Sequence, residues 1–232
     1  VGSGVPNSHG VTPKQAYVDL HGGETRRSTW NEIVDAAERY NQPGRFTALI
    51  GWEWSSQPGG GNIHRVVFTP QGADVARQFL PFSALESQDP EQLWRWLGET
   101  SKRTGAQFVA IPHNANVSSG QMFPLQRANG QPVDAAYSAV RAEWEPVLEV
   151  TQIKGDSETH PMLSPNDEFA DYESYNFVMT VERRTPDPTE ADYARSGLKR
   201  GLALEAQLGA NPYKFGLIGS SDSHTGMSAV EE

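Results

Sequence analysis

Short apolar runs that each empty into a polar tip with a metal-capable side chain constrain this chain more than any other feature. The run at 107–112 ends at His113 and Asn114, the run opening at Phe46 ends at Glu53, the run at 145–151 carries Glu149 next to its end, and the run at 215–218 leads through Gly219 to Asp222 and His224. Apolar runs of this length between turn residues read as short buried strands. Helical patterns separate them, and helix alternating with buried strand is the mark of a mostly parallel sheet or part of a (β/α) barrel. Such folds gather their functional groups at the C-terminal strand ends. If strand geometry continues through the last tip, Asp222 and His224 point to the same face and are offered together to a cation. The plainer reading of that tip is a serine-rich turn.

Composition narrows the chemistry. With 232 residues, 37% hydrophobic content and 6 tryptophans, the chain can bury one large core. The expected organisation is an extended arm over residues 1–28 and a single α/β domain over 29–232. A formal charge of -10 and a pI near 5.1 argue against a nucleic-acid or anionic-membrane partner. There are no cysteines, so any metal is held by His, Asp, Glu or Asn, a donor set that suits Mn, Zn or Fe. No apolar run approaches the length of a membrane helix and no signal peptide is evident. The chain begins at Val1, which leaves the compartment open.

Taken in order, residues 1–28 are rich in Gly, Ser, Pro and charge, and nothing rigid would hold their histidines, His9 and His21. Thr29 and Glu32 have capping-box spacing, which places a helix start at Thr29 with Trp30, Ile33, Val34 and Ala37 on one face. Residues 46–54 form a central strand with Glu53 at its exit, either a ligand or base or a glutamate paired with a cation. Residues 62–69 form another strand, on which His64 shares a face with Val66 and Phe68 while Arg65 faces the other way. An isolated histidine there is ordinarily a satisfied core group. Residues 89–105 carry an N-cap Asp89, Pro90 at the first position and Gly105 at the end, the clearest helix in the chain. The loop at 115–132 is long enough for a lid or binding loop. After the strand at 145–151, Lys154, Gly155 and Ser157 are placed to bind an anion, and Asp156, Glu158 and His160 to ligate metal or to form a solvated turn. A helix at 189–209 contains Gly197 and Gly201, which points to close packing on a neighbour.

Five of these segments together resemble a bacterial family of unassigned function allied to the PHP (polymerase and histidinol phosphatase) superfamily of metal-dependent hydrolases. They are residues 46–54, Asn-Ile-His-Arg at 62–65, Ile-Pro-His-Asn at 111–114, Gln-Ile-Lys-Gly-Asp-Ser-Glu-Thr-His at 152–160 and Ser-Ser-Asp-Ser-His at 220–224. The resemblance implies a partial or distorted (β/α)7-type barrel with mostly parallel strands and metal ions at the strand ends. It implies metal ligands Glu53, His64, His113, Asp222 and His224, and Arg65, Asn114 and Lys154 as groups that contact the anion. Glu53 or His113 would share ligand and proton-transfer duties, with Lys154 or Arg65 stabilising the anion.

The superfamily's opening His-x-His strand is not matched, since His21 runs into Gly22 and Gly23. The chain is therefore similar to the C-terminal part of a longer member, with a site of one or two divalent ions. The expected function is a metal-dependent hydrolase that cleaves a small anionic ester, phosphate or sulfate, by metal-activated water. The alternatives are a catalytically inactive metal- or ligand-binding remnant of such a domain and a scaffold whose histidines only satisfy core groups. An unpaired sheet edge is further expected to make the protein a homo-oligomer, and a monodisperse monomer in sedimentation would count against this.

Overall fold

The first helix begins earlier than its capping signal. A computed structural model describes residues 22–175 and 187–224, and in it α1 runs over Gly23–Tyr40. Thr29 therefore lies inside the helix. Arg26 and Arg27 extend it upstream by donating hydrogen bonds to the carbonyls of Pro81 and Phe79, each at 3.0 Å. These tertiary bonds override the local cap. The buried side of α1 carries Trp30 and Val34. The Trp30 indole donates to the Ala76 carbonyl at 2.9 Å, at the end of the short α2 (Ala73–Ala76), and its ring lies 5.7 Å from that of Phe79. These residues belong to the smaller of two compact units, which among the described residues comprises 22–50 with Thr69–Pro81 and Thr100–Gln107.

The larger unit comprises, among the described residues, Gly51–Phe68, Phe82–Glu99, 108–175 and 187–224. Its first sheet has the order β1-β2-β3, made of β1 (Ile50–Trp54), β2 (Arg65–Thr69) and β3 (Val109–Pro112), the outer residues Ile50 and Thr69 falling at the unit's border. β2 and β3 are antiparallel, with Arg65 opposite Pro112 and Phe68 opposite Val109. The second sheet has the order β5-β4-β6, made of β4 (Val147–Gln152), β5 (Gly155–Asp156) and β6 (Gly216–Gly219). β4 is antiparallel to β5 and parallel to β6.

This arrangement corrects the expected mostly parallel (β/α)7-type barrel. Two small three-stranded sheets are present, no barrel closes among the described residues, and two of the three strand pairings of stated direction are antiparallel. Apolar runs do not by themselves fix strand direction. Between β4 and β5 only Ile153 and Lys154 intervene, and a link that short returns the chain antiparallel. Gly155 follows with φ +95°, a conformation that costs glycine nothing.

Three helices accompany the sheets: α3 (Pro90–Thr104), α4 (Ala135–Trp144) and α5 (Ala194–Leu208). Asp89 accepts from the Glu91 amide at 2.9 Å, and Asp134 caps α4 by accepting from the Tyr137 amide at 2.7 Å. α5 stops at Gly209, whose φ of 69° lies in the left-handed region. Gly197 faces the Phe123 ring, where a methyl group would stand 2.9 Å from the ring carbons, so the packing expected of α5 is present. Trp94, Leu93 and Leu97 of α3 are buried, and Trp94 meets Tyr137 edge to face at 5.2 Å. Burying each such side chain stabilises the fold by roughly 1.5–3 kcal/mol.

Three other expectations change. Phe46 and Leu49 are exposed, so the strand read over 46–54 begins only at Ile50. β6 is exposed along its whole length, because it lies at a sheet edge with β4 on one side. Within the loop at 115–132, Ala115, Met122 and Phe123 are fully buried, so its first half serves as core rather than as a lid. Residues 1–21, with His9 and His21, lie outside the described residues. Among the described residues no helix is long and apolar enough to cross a membrane.

Candidate metal centre

Antiparallel pairing brings two distant histidines together. Arg65 opens β2 and stands opposite Pro112, which closes β3. The residues just beyond that pair are His64 and His113, and the His113 amide donates to the His64 carbonyl at 3.2 Å. Glu53, on β1 of the same sheet, completes the group. Its Oε1 lies 2.8 Å from His113 Nε2 and 2.9 Å from His64 Nδ1. The imidazole rings are 5.6 Å apart and inclined at 79°. One potential ligand atom from each of the three residues lies within 4.8 Å of the others, and this is the one such group among the described residues.

The group is closed on the histidine side and open on the carboxylate side. His113 is 1% and His64 8% exposed, whereas the Glu53 side chain retains 30%. Burial works against an ionised Glu53, but hydrogen bonds from His113, His64 and Ser55 outweigh it and hold the carboxyl well below the usual carboxylate range. The Ser55 hydroxyl donates to Oε2 at 2.6 Å. Two buried polar features remain unanswered. His64 Nε2 has no hydrogen-bond partner, and neither amide atom of Asn114 has one. Asn114 follows His113 directly, is 1% exposed, and takes a left-handed conformation with φ 59°. Buried polar atoms are ordinarily satisfied, so these lack a partner that the described residues do not supply. One carboxylate and two imidazoles converging on a partly open space could hold a divalent ion.

The other residues read as site members from the sequence are not part of this three-residue group. Asp222 pairs with Lys154 Nζ and accepts from Gln152 Nε2 at 3.0 Å, so its carboxylate is already neutralised. Asp222 has φ 50°, which breaks the extended geometry that would have aligned it with His224. His224 is exposed and lies outside the group. Arg65, expected to contact an anion beside the metal, is 1% exposed and donates from Nε to Glu145 at 2.9 Å. Glu158 pairs with Arg195 at 2.7 Å, Asp156 accepts from the amides of Glu158 and Thr159, and His160 accepts from the Met162 amide at 3.2 Å. These three build a turn. Sequence reasoning missed Ser55 and Glu145. The spacing of Ser55 from Glu53 was a usable signal, and so was the four-residue spacing of Arg141 and Glu145, whereas the bonds of Glu145 to Arg65 and Trp94 join residues far apart in the chain.

His64 is also held from behind. The Asn62 amide donates to the Val117 carbonyl at 2.9 Å and the Ile63 amide to the Ser56 carbonyl at 3.0 Å. At Gly61 an added methyl group would collide with the carbonyl of Ser118. Gly61→Ala is therefore expected to cost about 1–3 kcal/mol of stability by overpacking. It is also expected to weaken metal binding about tenfold by displacing the segment that leads to His64. Urea denaturation and chelator competition measure the two effects, and unchanged metal affinity would show that His64 is positioned independently of Gly61.

Residues 6–232 match the profile of a protein family described as Protein of unknown function (DUF3604). No curated protein and no solved structure matches the chain.

Proposed function

The chain belongs to the DUF3604 family of proteins of unknown function, and from that premise we propose that it is a metal-dependent hydrolase of phosphate or sulfate esters. The observation that carries the proposal is the convergence of Glu53, His64 and His113 within 4.8 Å. The set supports one ion, of Zn, Mn or Fe, because two imidazoles and a carboxylate suit borderline cations and leave coordination positions free. When bound, such an ion supplies Lewis acidity toward an ester oxygen and a water acidic enough to react near neutral pH. The likeness of the strand-end motifs to PHP hydrolases is part of this proposal.

The residues themselves set the rest. Glu53 stays ionised and faces the open side, so it serves both as ligand and as an acceptor for a proton from water. Ser55 fixes the second carboxylate oxygen. His113, buried at the end of β3, provides the rigid wall. Asn114, directly after His113, keeps a buried amide without a partner.

A second reading draws on a specific observation. Arg65 and Lys154 are both committed to carboxylates, which leaves the trio without either of the cations expected to stabilise an anionic transition state. That favours a metal-binding module without turnover. One experiment separates the two. The protein is purified without chelator, its metal content is measured by plasma mass spectrometry, and hydrolysis of p-nitrophenyl phosphate, bis-p-nitrophenyl phosphate and p-nitrophenyl sulfate is followed with Zn, Mn and Fe. Turnover that a chelator abolishes and metal restores supports the hydrolase. Full turnover without metal sinks it. Bound metal that raises the unfolding temperature without turnover establishes the silent module.

A further inference from the structure

Ile63 and Arg65, on either side of His64, contribute to a separate cavity of about 790 Å³. None of Glu53, His64 and His113 lines it. Its volume is in the range of small-molecule sites, and its wall carries an unusual excess of guanidinium groups.

The charge balance of that wall is uneven. Arg65 and Arg141 are 1% and 2% exposed, and both turn to a single carboxylate, Glu145, which is 3% exposed. Two buried cations thus share one anion. Tyr137 and Tyr213 beside Arg141 cannot make up the difference, since burial pushes both phenols up and keeps them neutral. Arg141 Nε lies 3.0 Å from Glu145 without the alignment of a hydrogen bond, and Nη1 makes only a long 3.4 Å contact with the Tyr137 hydroxyl.

Arg200 adds a third guanidinium. Its Nη1 donates to the Phe123 carbonyl at 2.7 Å and its Nη2 is 3.5 Å from Glu190, but its Nε is buried with no partner. The acidic lining residues do not answer these charges. Glu91 is taken by Arg127 at 3.0 Å, and Asp89 caps α3. A buried cation without a full counter-charge costs stability until an anion meets it, and guanidinium forks match the paired oxygens of a carboxylate or phosphate.

We infer that this cavity binds a small organic oxyanion, with its charged end at Arg141 and Arg200 and its apolar body against Pro124 and Leu125. The inference stands apart from the hydrolase reading, because it uses none of the metal-capable residues. Isothermal titration with benzoate, phenyl phosphate and the neutral benzamide tests it, with a chelator present throughout. The expected result is saturable binding of at least one anion, a rise in unfolding temperature, and no binding of benzamide. A preference between benzoate and phenyl phosphate identifies which oxyanion the site takes. Arg200→Gln is expected to weaken binding by about tenfold or more, and Glu53→Gln to leave it unchanged. Absence of saturable binding by both anions, or equal binding of benzamide, overturns the inference on the unaltered chain whether or not a variant folds. Anion binding that survives Arg200→Gln intact, or disappears in Glu53→Gln, overturns it as well.

Discussion

Replacing Glu145 by glutamine is expected to cost about 3–5 kcal/mol of folding stability, the range for removing one partner of a buried ion pair. Glutamine keeps the shape and can still accept from the Trp94 indole, which now donates to Oε1 at 2.8 Å. What it removes is the one carboxylate that Arg65 and Arg141 share among the described residues. Two guanidinium groups would then be buried with no counter-charge, in a domain whose total stability is typically about 5–15 kcal/mol. Urea denaturation measures the loss, and a change below about 1 kcal/mol would show that water or rearrangement already compensates these charges.

The same residue predicts a pH dependence. Burial favours the neutral acid at Glu145, but the Arg65 and Arg141 charges outweigh it and hold its pKa below the ordinary value of 4.5. A carboxyl with a depressed folded-state pKa contributes stability that is present above its unfolded pKa. That stability is lost as the pH falls from there toward the folded pKa. Between about pH 5 and pH 3 the unaltered protein is therefore expected to lose stability more steeply than Glu145→Gln. Replacing all three members by apolar residues of similar volume is expected to be far milder than the single change, because it removes the desolvated charges together with their attraction.

Replacing His113 by asparagine is expected to lower metal affinity by about a hundredfold or more, since removal of even an outer-shell partner costs about 10–100-fold. His113 is the most buried of the three groups and holds Glu53 Oε1 at 2.8 Å. Its loss leaves two ligands, one of them partly exposed. His224→Asn provides the contrast. Read from the sequence, His224 belongs to the ligand set; in the structure it is exposed and lies outside the Glu53, His64 and His113 group. Metal affinity is therefore expected to stay unchanged in His224→Asn. Chelator competition and metal content after dialysis report on both variants. Metal retained in His113→Asn, or lost equally in His224→Asn, would refute the three-residue centre.

Several local signals were legible, although the capping box at Thr29 and Glu32 did not mark a helix start. Asp89, Pro90 and Gly105 mark α3 because caps and φ preferences act over a few residues, and Gly209 ends α5 for the same reason. Glu53 and His113 could be singled out because each stands where a short apolar run meets polar chain, a pattern visible without knowing what lies opposite. The packing of Gly197 could be anticipated because an interior glycine weakens a helix unless a neighbour needs the space.

Strand direction and partner choice were decided only in three dimensions. A buried strand has the same composition whether its neighbour is parallel or antiparallel, so the barrel expectation failed where the β2–β3 and β4–β5 pairings reversed it. That reversal is also what brings His64 beside His113. Asp222 could be recognised as metal-capable, but its pairing with Lys154 depends on a turn whose φ no neighbouring residue specifies. Of the Arg65, Glu145 and Arg141 cluster, only the four-residue spacing of Arg141 and Glu145 is local. Arg65, far from that pair in the chain, meets Glu145 only after the sheets and helices have packed, and a buried carboxylate is worth its desolvation only where such cations are in place.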